Sequence, residues 1–303
     1  MNAAQAEGRR GLWIAAASFV LWGLMPLYWH LLKAVPSLQI VGHRIAWSAA
    51  MVAAWLCWKQ GFAWLREVFS QPRKAAMLAL SGTLIAFNWG LYIWAVNAGH
   101  VVETSLGYFI NPLVNVVLGV LLLHERMNRV QWLAVALAAA GVVWLTWQYG
   151  QLPWIAIALA LSFATYGLIR KLVAVEAVTG LGIESLYLFL PALAVLLWGE
   201  SHGQGGFLGG WGLGIDLLLI MAGALTALPL IGFAYAVRRV PLSVVGLMQY
   251  IAPTLQLLIG VLVLHEPFDR ARLIGFVFIW IGLLMFAGDG LWRSRRQAAA
   301  SPA

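Results

Sequence analysis

The chain has little charge and almost no cysteine. Only 10% of its 303 residues are Asp, Glu, Lys or Arg, against about 25% in soluble proteins, so a water-soluble fold of this size could not cover its surface. Cys57 is the only cysteine, which excludes an intrachain disulfide and a cysteine metal cluster. With 62% hydrophobic residues, the composition also excludes a disordered chain, a nucleic-acid-binding protein and a secreted disulfide scaffold as the main interpretation.

Motifs of the common catalytic sites are also absent from the sequence. There is no G-x-x-x-x-G-K-[ST] loop for ATP phosphates, no Rossmann fingerprint and no nucleophile elbow. The His124-Glu125 and His265-Glu266 pairs lack the second histidine of a metalloprotease. We therefore expect no cofactor, no metal and no ATP-driven chemistry.

Long apolar runs are abundant instead. A membrane-spanning helix needs about 20 mostly apolar residues, and ten such runs lie between charged residues. They cover approximately 11–32, 41–58, 75–97, 104–123, 130–147, 152–169, 181–198, 215–237, 243–264 and 271–289. Because the runs are solidly apolar rather than alternating, helices are favoured over a barrel. The sequence predicts an all-α integral membrane protein with ten transmembrane helices.

Lys and Arg are unevenly distributed across these ten spans. With the N-terminus in the cytoplasm, fifteen of the 19 basic residues fall on the cytoplasmic side, Arg170 and Lys171 among them, and four fall outside. Cytoplasmic loops carry the excess of Lys and Arg in membrane proteins. Both termini are therefore predicted to be cytoplasmic.

Two blocks of sequence recur at similar intervals. The motifs L-x-x-x-I-x-P at 106–112 and G-V-L-x-L-H-E at 119–125 recur 141 residues later, at 247–253 and 260–266. The block A-x-S-F-x-x-W-G-L, which begins at Ala16, recurs 144 residues later with Tyr in place of Trp. Matches of Pro, Gly, His and Glu in register indicate a duplication.

The duplication predicts two five-helix units. They cover 11–147 and 152–292, with cytoplasmic tails at 1–10 and 293–303. Because five is odd, the second unit enters the membrane from the opposite side. Inverted repeats with a site near the midplane between them are typical of secondary transporters.

Several short motifs resemble a known family. The motifs are His43-Arg44, Asn88-Trp89, W-A-V-N at 94–97, S-L-G-Y-F-I-N-P-L at 105–113 and Q-Y-I at 249–251. They are similar to the RarD branch of the EamA-type drug/metabolite transporter superfamily, and the resemblance extends over about 11–292. It implies a ten-helix carrier of the bacterial inner membrane.

Polar side chains in the fourth and ninth segments are candidates for binding substrate. Tyr108, Asn111 and Asn115 are spaced to share one helix face, and the shift of 141 places Gln249 and Gln256 on the same face of the second unit. Polar groups in the membrane tend to face a cavity or a partner. The alternative is that these amides cross-link helices.

Pro112 and Pro253 lie within the same two polar faces. Each proline removes a backbone donor and leaves the carbonyl four residues earlier unpaired, which here belongs to Tyr108 or Gln249. The prolines are candidate hinges with carbonyls available to substrate. The alternative is a static kink that neighbouring groups satisfy.

Three further residues are candidates for lining the cavity. Asn88 lies near the middle of the third segment, and Tyr166 lies deep in the sixth. Trp22 is included because Tyr166 replaces it in the second unit. The alternative for Trp22 is close helix packing on the adjacent Gly23.

Charged residues inside apolar segments are the remaining candidates. Arg44 is expected to attract an anionic group, Glu184 to carry a coupling proton, and Glu103, at the outer mouth, to act as a second proton site. The alternative for Arg44 and Glu184 is snorkelling to the interface. Glu125 and Arg129, like Glu266 and Arg270, are interpreted as structural caps and weak i, i+4 ion pairs at the start of the following helix.

These features favour a secondary transporter that exports or exchanges small organic molecules by alternating access. Its expected partners are the lipid bilayer, a small-molecule substrate and H⁺ as the coupling ion, and a homodimer is left open. The alternatives from other classes are a membrane-embedded lipid-modifying enzyme and a passive channel or facilitator. The enzyme would need acidic, His or nucleophilic groups clustered at one interface, whereas here they are scattered.

Overall fold

The structure is a computed structural model that describes residues 3–98, 100–150, 152–263 and 270–300. Within these ranges the regular secondary structure is helical. The helices are α1 (Ala3–Leu31), α2 (Ser37–Gln60), α3 (Ala63–Phe69), α4 (Pro72–Asn97), α5 (Val101–Leu123), α6 (Arg129–Tyr149), α7 (Trp154–Leu172), α8 (Ala177–Ser201), α9 (Leu213–Val237), α10 (Leu242–Met248), α11 (Ile251–Leu262) and α12 (Arg270–Ala300).

The described residues form ten segments long and apolar enough to cross a membrane. Nine are single helices, and the tenth, Leu242–Leu262, combines α10 and α11. The prediction of ten helical spans is confirmed. Helix also extends beyond the predicted first and last spans, because α1 begins at Ala3 and α12 continues to Ala300. The connector between the second and third spans contains the short helix α3, which the sequence analysis did not predict.

The ninth span is broken rather than continuous. Gln249 and Tyr250 form a turn between α10 and α11, four and three residues before Pro253. Because Pro253 has no N–H, it cannot donate to the carbonyl of Gln249. The N–H of Ala252 donates to that carbonyl instead, at 3.2 Å. The break therefore satisfies the carbonyl that the sequence analysis expected to be free for substrate.

The bundle has two ends with different connectors. We call the end that carries both termini the terminal end; it also holds the connectors α2–α4, α5–α6, α7–α8 and α9–α10. The far end holds the other five connectors. The numbering of the spans defines these ends, because each span crosses once.

Contacts between the first five spans and the last five occur in exchanged pairs. Helix α1 packs against α9 and α11, and α7, its counterpart in the second half, packs against α4 and α5. Similarly, α2 packs against α9 and α4 packs against α8. The last helices of the two halves, α6 and α12, pack against each other. This pattern is what a two-fold relation between the halves produces.

Individual contacts obey the same relation. A Cβ on Gly141 would lie 2.5 Å from the carbonyl oxygen of Gly275, and a Cβ on Gly282 would lie 2.6 Å from that of Ala134. The two contacts are related by the shift of 141 that relates the repeated motifs. Gly141 corresponds to Gly282, and Gly275 corresponds to Ala134. These close approaches between α6 and α12 require glycine, because any side chain would displace backbone.

We expect Gly141→Ala to destabilise the transmembrane bundle although it improves helix propensity. The added methyl group would force α6 away from the backbone of α12. The measurement is thermal unfolding of the detergent-purified protein. Gly90→Ala is the matched control, since a Cβ there meets no atom within 4 Å. An unchanged or raised midpoint for Gly141→Ala would contradict the packing described here.

Candidate functional site

A buried ion pair lies between α4, α7 and α8. Arg170 Nη1 lies 3.4 Å from Glu184 Oε1, and the two side chains are 0% and 1% exposed. Ser81 donates to Glu184 Oε1, and the Tyr166 hydroxyl lies 3.5 Å from Glu184 Oε2. Two hydroxyl groups and a guanidinium therefore surround one carboxylate inside the membrane-spanning bundle. Such a carboxylate can hold either a negative charge or a proton.

Arg170 was missed as a site residue by the sequence analysis, which assigned it to the cytoplasmic set of basic residues. The structure buries it completely, with Nη2 donating to the carbonyl of Ala177 at 2.9 Å. Gly180 makes this position available, because a Cβ there would lie 1.8 Å from Arg170 Nη1. The only sequence signal was its distance of four residues from Tyr166, on the same helix face.

Arg44 lies in a separate aromatic environment closer to the far end. Its guanidinium carbon lies 4.7 Å from the ring centroid of Trp29 and 5.1 Å from that of Trp89. Its Nε donates to Thr226 Oγ1 at 3.0 Å. Contacts of this kind hold a cation by attraction to the ring faces. These groups come from helices α1, α2, α4 and α9, and Tyr108 on α5 lies in the same neighbourhood.

A small cavity lies between the Arg44 and Glu184 groups. Its volume is about 10 Å³, and its lining includes Trp89 and Thr226, which contact Arg44, as well as Tyr166 and Glu184. A volume of this size accommodates about one water molecule. The cavity is therefore in contact with Glu184 and with two neighbours of Arg44, and it is too small for an organic substrate in this conformation.

Asn111, Asn115 and Gln249 come together across the two halves. The side-chain amides of Asn111 and Asn115 donate to Gln249 Oε1 at 3.2 and 2.8 Å, and all three side chains are buried. In this conformation they cross-link α5 to the break between α10 and α11, and they do not line the cavity. Their remaining amide atoms, Asn111 Oδ1, Asn115 Oδ1 and Gln249 Nε2, have no hydrogen-bond partner within the described part of the chain.

The other predicted amides also connect helices. Gln256 donates to the carbonyl of Trp22 at 3.2 Å, joining α11 to α1. Asn88 donates to the carbonyl of Leu159 and to Ser162 Oγ, at 2.8 and 2.9 Å, joining α4 to α7. None of these residues is in the lining of the cavity. Trp22 itself packs within an aromatic cluster with Phe19, Phe163 and Phe233.

The two predicted hinge prolines differ in their surroundings. Pro253 follows the helix break, whereas Pro112 lies inside the continuous helix α5. A Cβ on Gly246 would lie 2.8 Å from the carbonyl oxygen of Pro112, so α10 crosses α5 closely at this proline. Their role as hinges stays a prediction.

Two further acidic residues, Glu103 and Glu266, border or lie outside the described part of the chain. Glu103 lies in the first turn of α5, and its side chain is outside the part of the chain that the structure describes. Glu266 lies in the undescribed range 264–269.

A sequence profile decides which family the protein belongs to. The EamA-like transporter family matches the chain twice, over residues 9–147 and 153–288. The chain belongs to the EamA-like transporter family. The two matched ranges lie close to the two predicted five-helix units.

Relatives of this transporter carry related names. It is 46% identical to "Protein RarD" of Streptomyces exfoliatus, over 98% of this chain and 94% of the relative. It is 43% identical to "Protein RarD" of Escherichia coli, over 96% and 98%, and 34% identical to "Chloramphenicol-sensitive protein RarD" of Pseudomonas aeruginosa, over 95% and 97%. The predicted membership of the RarD branch is confirmed.

A solved crystal structure resembles this EamA-like transporter with a TM-score of 0.68 at 20% identity, over 91% of this chain and 96% of the other. At that identity the likeness shows the fold alone. The ten apolar helices and the bacterial relatives together indicate a multi-pass transporter of the inner membrane.

At its terminal end the transporter has a polar cluster around Glu125. Glu125 Oε1 accepts from the N–H of Leu242 at 2.6 Å, and Oε2 accepts from the N–H and hydroxyl of Ser243 at 2.9 and 2.7 Å. Lys171 Nζ lies 3.6 Å from Glu125 Oε1 and donates to the carbonyls of Val237 and Val240, both at 2.8 Å. One carboxylate therefore joins α5 to the first turn of α10 and to α7.

This geometry corrects the interpretation of Glu125. The i, i+4 pair with Arg129 does not form, since Glu125 reaches across to the second half of the transporter and Arg129 is exposed. Asn128 caps α6 in its place, accepting from the N–H of Val130 and Gln131 at 2.8 and 3.0 Å. The role of Glu125 remains structural, but its partners are in another element.

Two arginine side chains, Arg238 and Arg239, also connect elements at the terminal end. Arg238, directly after α9, donates to the carbonyl of Val175 at 2.6 Å. Burial lowers the pKa of the Arg238 guanidinium, and the neighbouring charges of Arg239 and Arg170 lower it further. Arg239 Nε lies 3.7 Å from Glu7 Oε2, which ties the start of α1 to the same end.

We expect Glu125→Ala to lower the free energy of unfolding by about 0.5–2 kcal/mol, the usual cost of removing a helix cap. The physical reason is that the N–H groups of Leu242 and Ser243 lose their acceptor. Thermal unfolding in detergent measures the effect, with the exposed Glu67→Ala on α3 as the control. Equal midpoints for the two variants would show that the cap contributes nothing.

Proposed function

We propose that this transporter is a secondary carrier of small organic molecules that works by alternating access between two inverted five-helix halves. The observation that carries the proposal is the cavity between the Arg44 and Glu184 groups. Residues of both halves line it, its lining includes an ionisable group, and in this conformation it has room for only about one water molecule. A permanently open pathway would suit a channel better.

The exchanged contacts between the halves support the alternation. Each half places its first helix against the third and fourth helices of the other half. Because the two sets of contacts are alike, each half can adopt the conformation of the other. The two resulting states of the transporter then differ little in free energy. With five spans in each half, such an exchange moves an opening from one side of the membrane to the other.

The two ends differ in the present conformation in a way that fits this scheme. At the terminal end, Glu125 and Lys171 join α5 and α7 to the junction of α9 with α10. Toward the far end, by contrast, the Tyr108 ring is 43% exposed. Tyr108 shares its helix face with Asn111 and Asn115, which point toward the second half, so this exposed surface faces the inside of the bundle.

We place the terminal end in the cytoplasm and the coupling proton on Glu184. The orientation is supported by the excess of Lys and Arg at that end. The proton site is supported by the donors around Glu184, which stabilise its carboxylate, and by Arg170, whose charge would be left unpaired when Glu184 is protonated. Protonation of Glu184 removes the ion pair with Arg170, so the proton favours the conformation that needs this ion pair less.

We further propose that the carrier exchanges its substrate for H⁺, and this exchange sets the direction of net transport. The proton gradient across the inner membrane drives H⁺ inward, so a carrier that exchanges substrate for H⁺ exports the substrate.

Counterflow in proteoliposomes tests the proposal. Substrates would first be identified by screening a deletion strain for altered efflux or sensitivity. Purified transporter should then exchange labelled for unlabelled substrate with saturation. The reason is that the binding site of a carrier can change sides with substrate bound in both directions. Labelled substrate that equilibrates without exchange or saturation would identify a passive channel and would overturn the proposal.

Glu184→Gln should uncouple transport from the proton gradient. The amide cannot exchange a proton, so accumulation driven by an imposed pH gradient should be lost while exchange of labelled substrate persists. Proton flux is measured with a trapped pH-sensitive dye, with Glu67→Gln as the control at an exposed position. Full gradient-driven accumulation by Glu184→Gln would place the coupling proton elsewhere.

Pro112→Ala should lower transport more than it lowers stability. Alanine restores the backbone donor inside α5 and stiffens the helix where α10 crosses it. Transport rate and unfolding midpoint are compared with those of Pro191→Ala, which makes the same change at an exposed position inside α8. Wild-type flux in a well-inserted Pro112→Ala protein would exclude the hinge.

A further inference from the structure

Arg44 has unused hydrogen-bonding capacity. A guanidinium has five N–H donors, and among the described residues only Nε is engaged, donating to Thr226 Oγ1 at 3.0 Å. Trp29 and Trp89 contact the guanidinium through their ring faces, which leaves the N–H groups at its edge free. No other hydrogen bond to Arg44 is present among the residues that the structure describes.

The charge of Arg44 is also unpaired within the described part of the chain. The buried carboxylates there have other partners: Glu184 contacts Arg170, Asp216 accepts from the N–H of Leu208, and Asp289 accepts from Asn128. The intramembrane groups that the structure describes therefore leave one positive charge without a counter-ion. An unpaired charge inside a span is costly, and an anion from outside the chain would remove that cost.

The surroundings of Arg44 indicate what kind of anion fits. Tyr92 and Tyr108 lie in the neighbourhood of Arg44, and the centroids of the two tyrosine rings are 6.0 Å apart. Both rings are partly exposed, at 36% and 43%. Together with Trp29 and Trp89, they offer apolar ring surface next to a single cation. A guanidinium edge matches the two oxygens of a carboxylate.

We propose that Arg44 is the anion subsite of the transporter and that its substrates are organic monoanions, with a carboxylate on Arg44 and an apolar body against Trp89, Tyr92 and Tyr108. The proposal rests on the carrier function proposed above and names the substrate class of that site. One cation favours one negative charge. A dianion such as a phosphate monoester would retain an unneutralised charge among aromatic rings.

The subsite also has a defined relation to the cavity. Thr226 and Trp89 contact Arg44 and line the space that ends at Glu184. A carboxylate on Arg44 therefore places the rest of a substrate at the entrance of that space. Entry would require the cavity to widen from its present volume of about 10 Å³.

Binding to matched pairs of acids and amides tests the proposal. The probes are phenylacetate, 3-phenylpropionate and 4-phenylbutyrate, each with its uncharged carboxamide and with the corresponding amine as a cation. Detergent-purified full-length transporter is titrated at neutral pH, and the shift in thermal unfolding midpoint reports binding. We expect at least one acid to raise the midpoint with saturation, while its amide and amine do not.

Variants of the subsite locate the binding. Arg44→Gln should weaken binding of the acid about 10- to 100-fold, in line with loss of a charged hydrogen bond, and Arg44→Lys should retain part of it. Thr226→Val keeps the charge and removes only the bond to Nε, so it should weaken binding less than Arg44→Gln. Lys33→Gln, which removes an exposed cation near the far end, should leave binding unchanged.

Each other outcome counts against the subsite. Equal shifts with acid and amide, shifts with amines only, or no shift with any acid would overturn it, and so would undiminished binding of the acid by Arg44→Gln. If Arg44→Gln fails to fold, the comparison of Arg44→Lys with Thr226→Val and Lys33→Gln decides in its place. None of these results affects counterflow, so the anion subsite can fail while the carrier function stands.

Discussion

Inside the bilayer there is no water to solvate a charge, so a charged side chain there needs a partner within the protein. The ion pair between Arg170 and Glu184 meets this requirement. Both side chains are almost completely buried. The surrounding sequence is correspondingly restricted, because Gly180 must lack a side chain for the guanidinium to fit and Ser81 must supply a donor. In soluble proteins, removing one partner of a buried pair costs about 3–5 kcal/mol. Protonation of Glu184 would likewise leave the buried charge of Arg170 without its partner, so a single proton has a large effect on this ion pair.

The same constraint explains why the two halves are joined by so many polar contacts. Apolar surface does not drive helix association in lipid, so close packing and interhelical hydrogen bonds do so. Glycines bring α6 and α12 into backbone contact, amides join α5 to the break in the ninth span, and Glu125 joins α5 to α10. A carrier must exchange such contacts during each cycle, and hydrogen bonds of modest strength can be exchanged at low cost.

One small cavity is thus lined by Glu184 and by two residues that contact Arg44, Thr226 and Trp89. The Glu184 group is internally neutral, since guanidinium and carboxylate compensate each other. The Arg44 group has no compensating carboxylate among the described residues and is held by aromatic rings instead. Because Thr226 and Trp89 connect Arg44 to the cavity that Glu184 lines, events at one group can influence the other through shared neighbours.

The sequence alone determined the fold class, the ten spans and the family resemblance, and it singled out Tyr166 and Glu184 as separate candidates. These follow from local properties, namely length and apolarity of segments and recurrence of motifs at a fixed shift. Tertiary structure decided the rest. Arg170 reads as a loop residue because it follows an apolar run, yet helix packing draws it inside. Asn88 and Gln256 read as cavity residues, yet they connect helices. Glu125 reads as paired with Arg129, yet its acceptors serve a helix more than a hundred residues away. In each case the partner lies on another helix, and sequence periodicity describes only which face a residue occupies, not which helix that face meets.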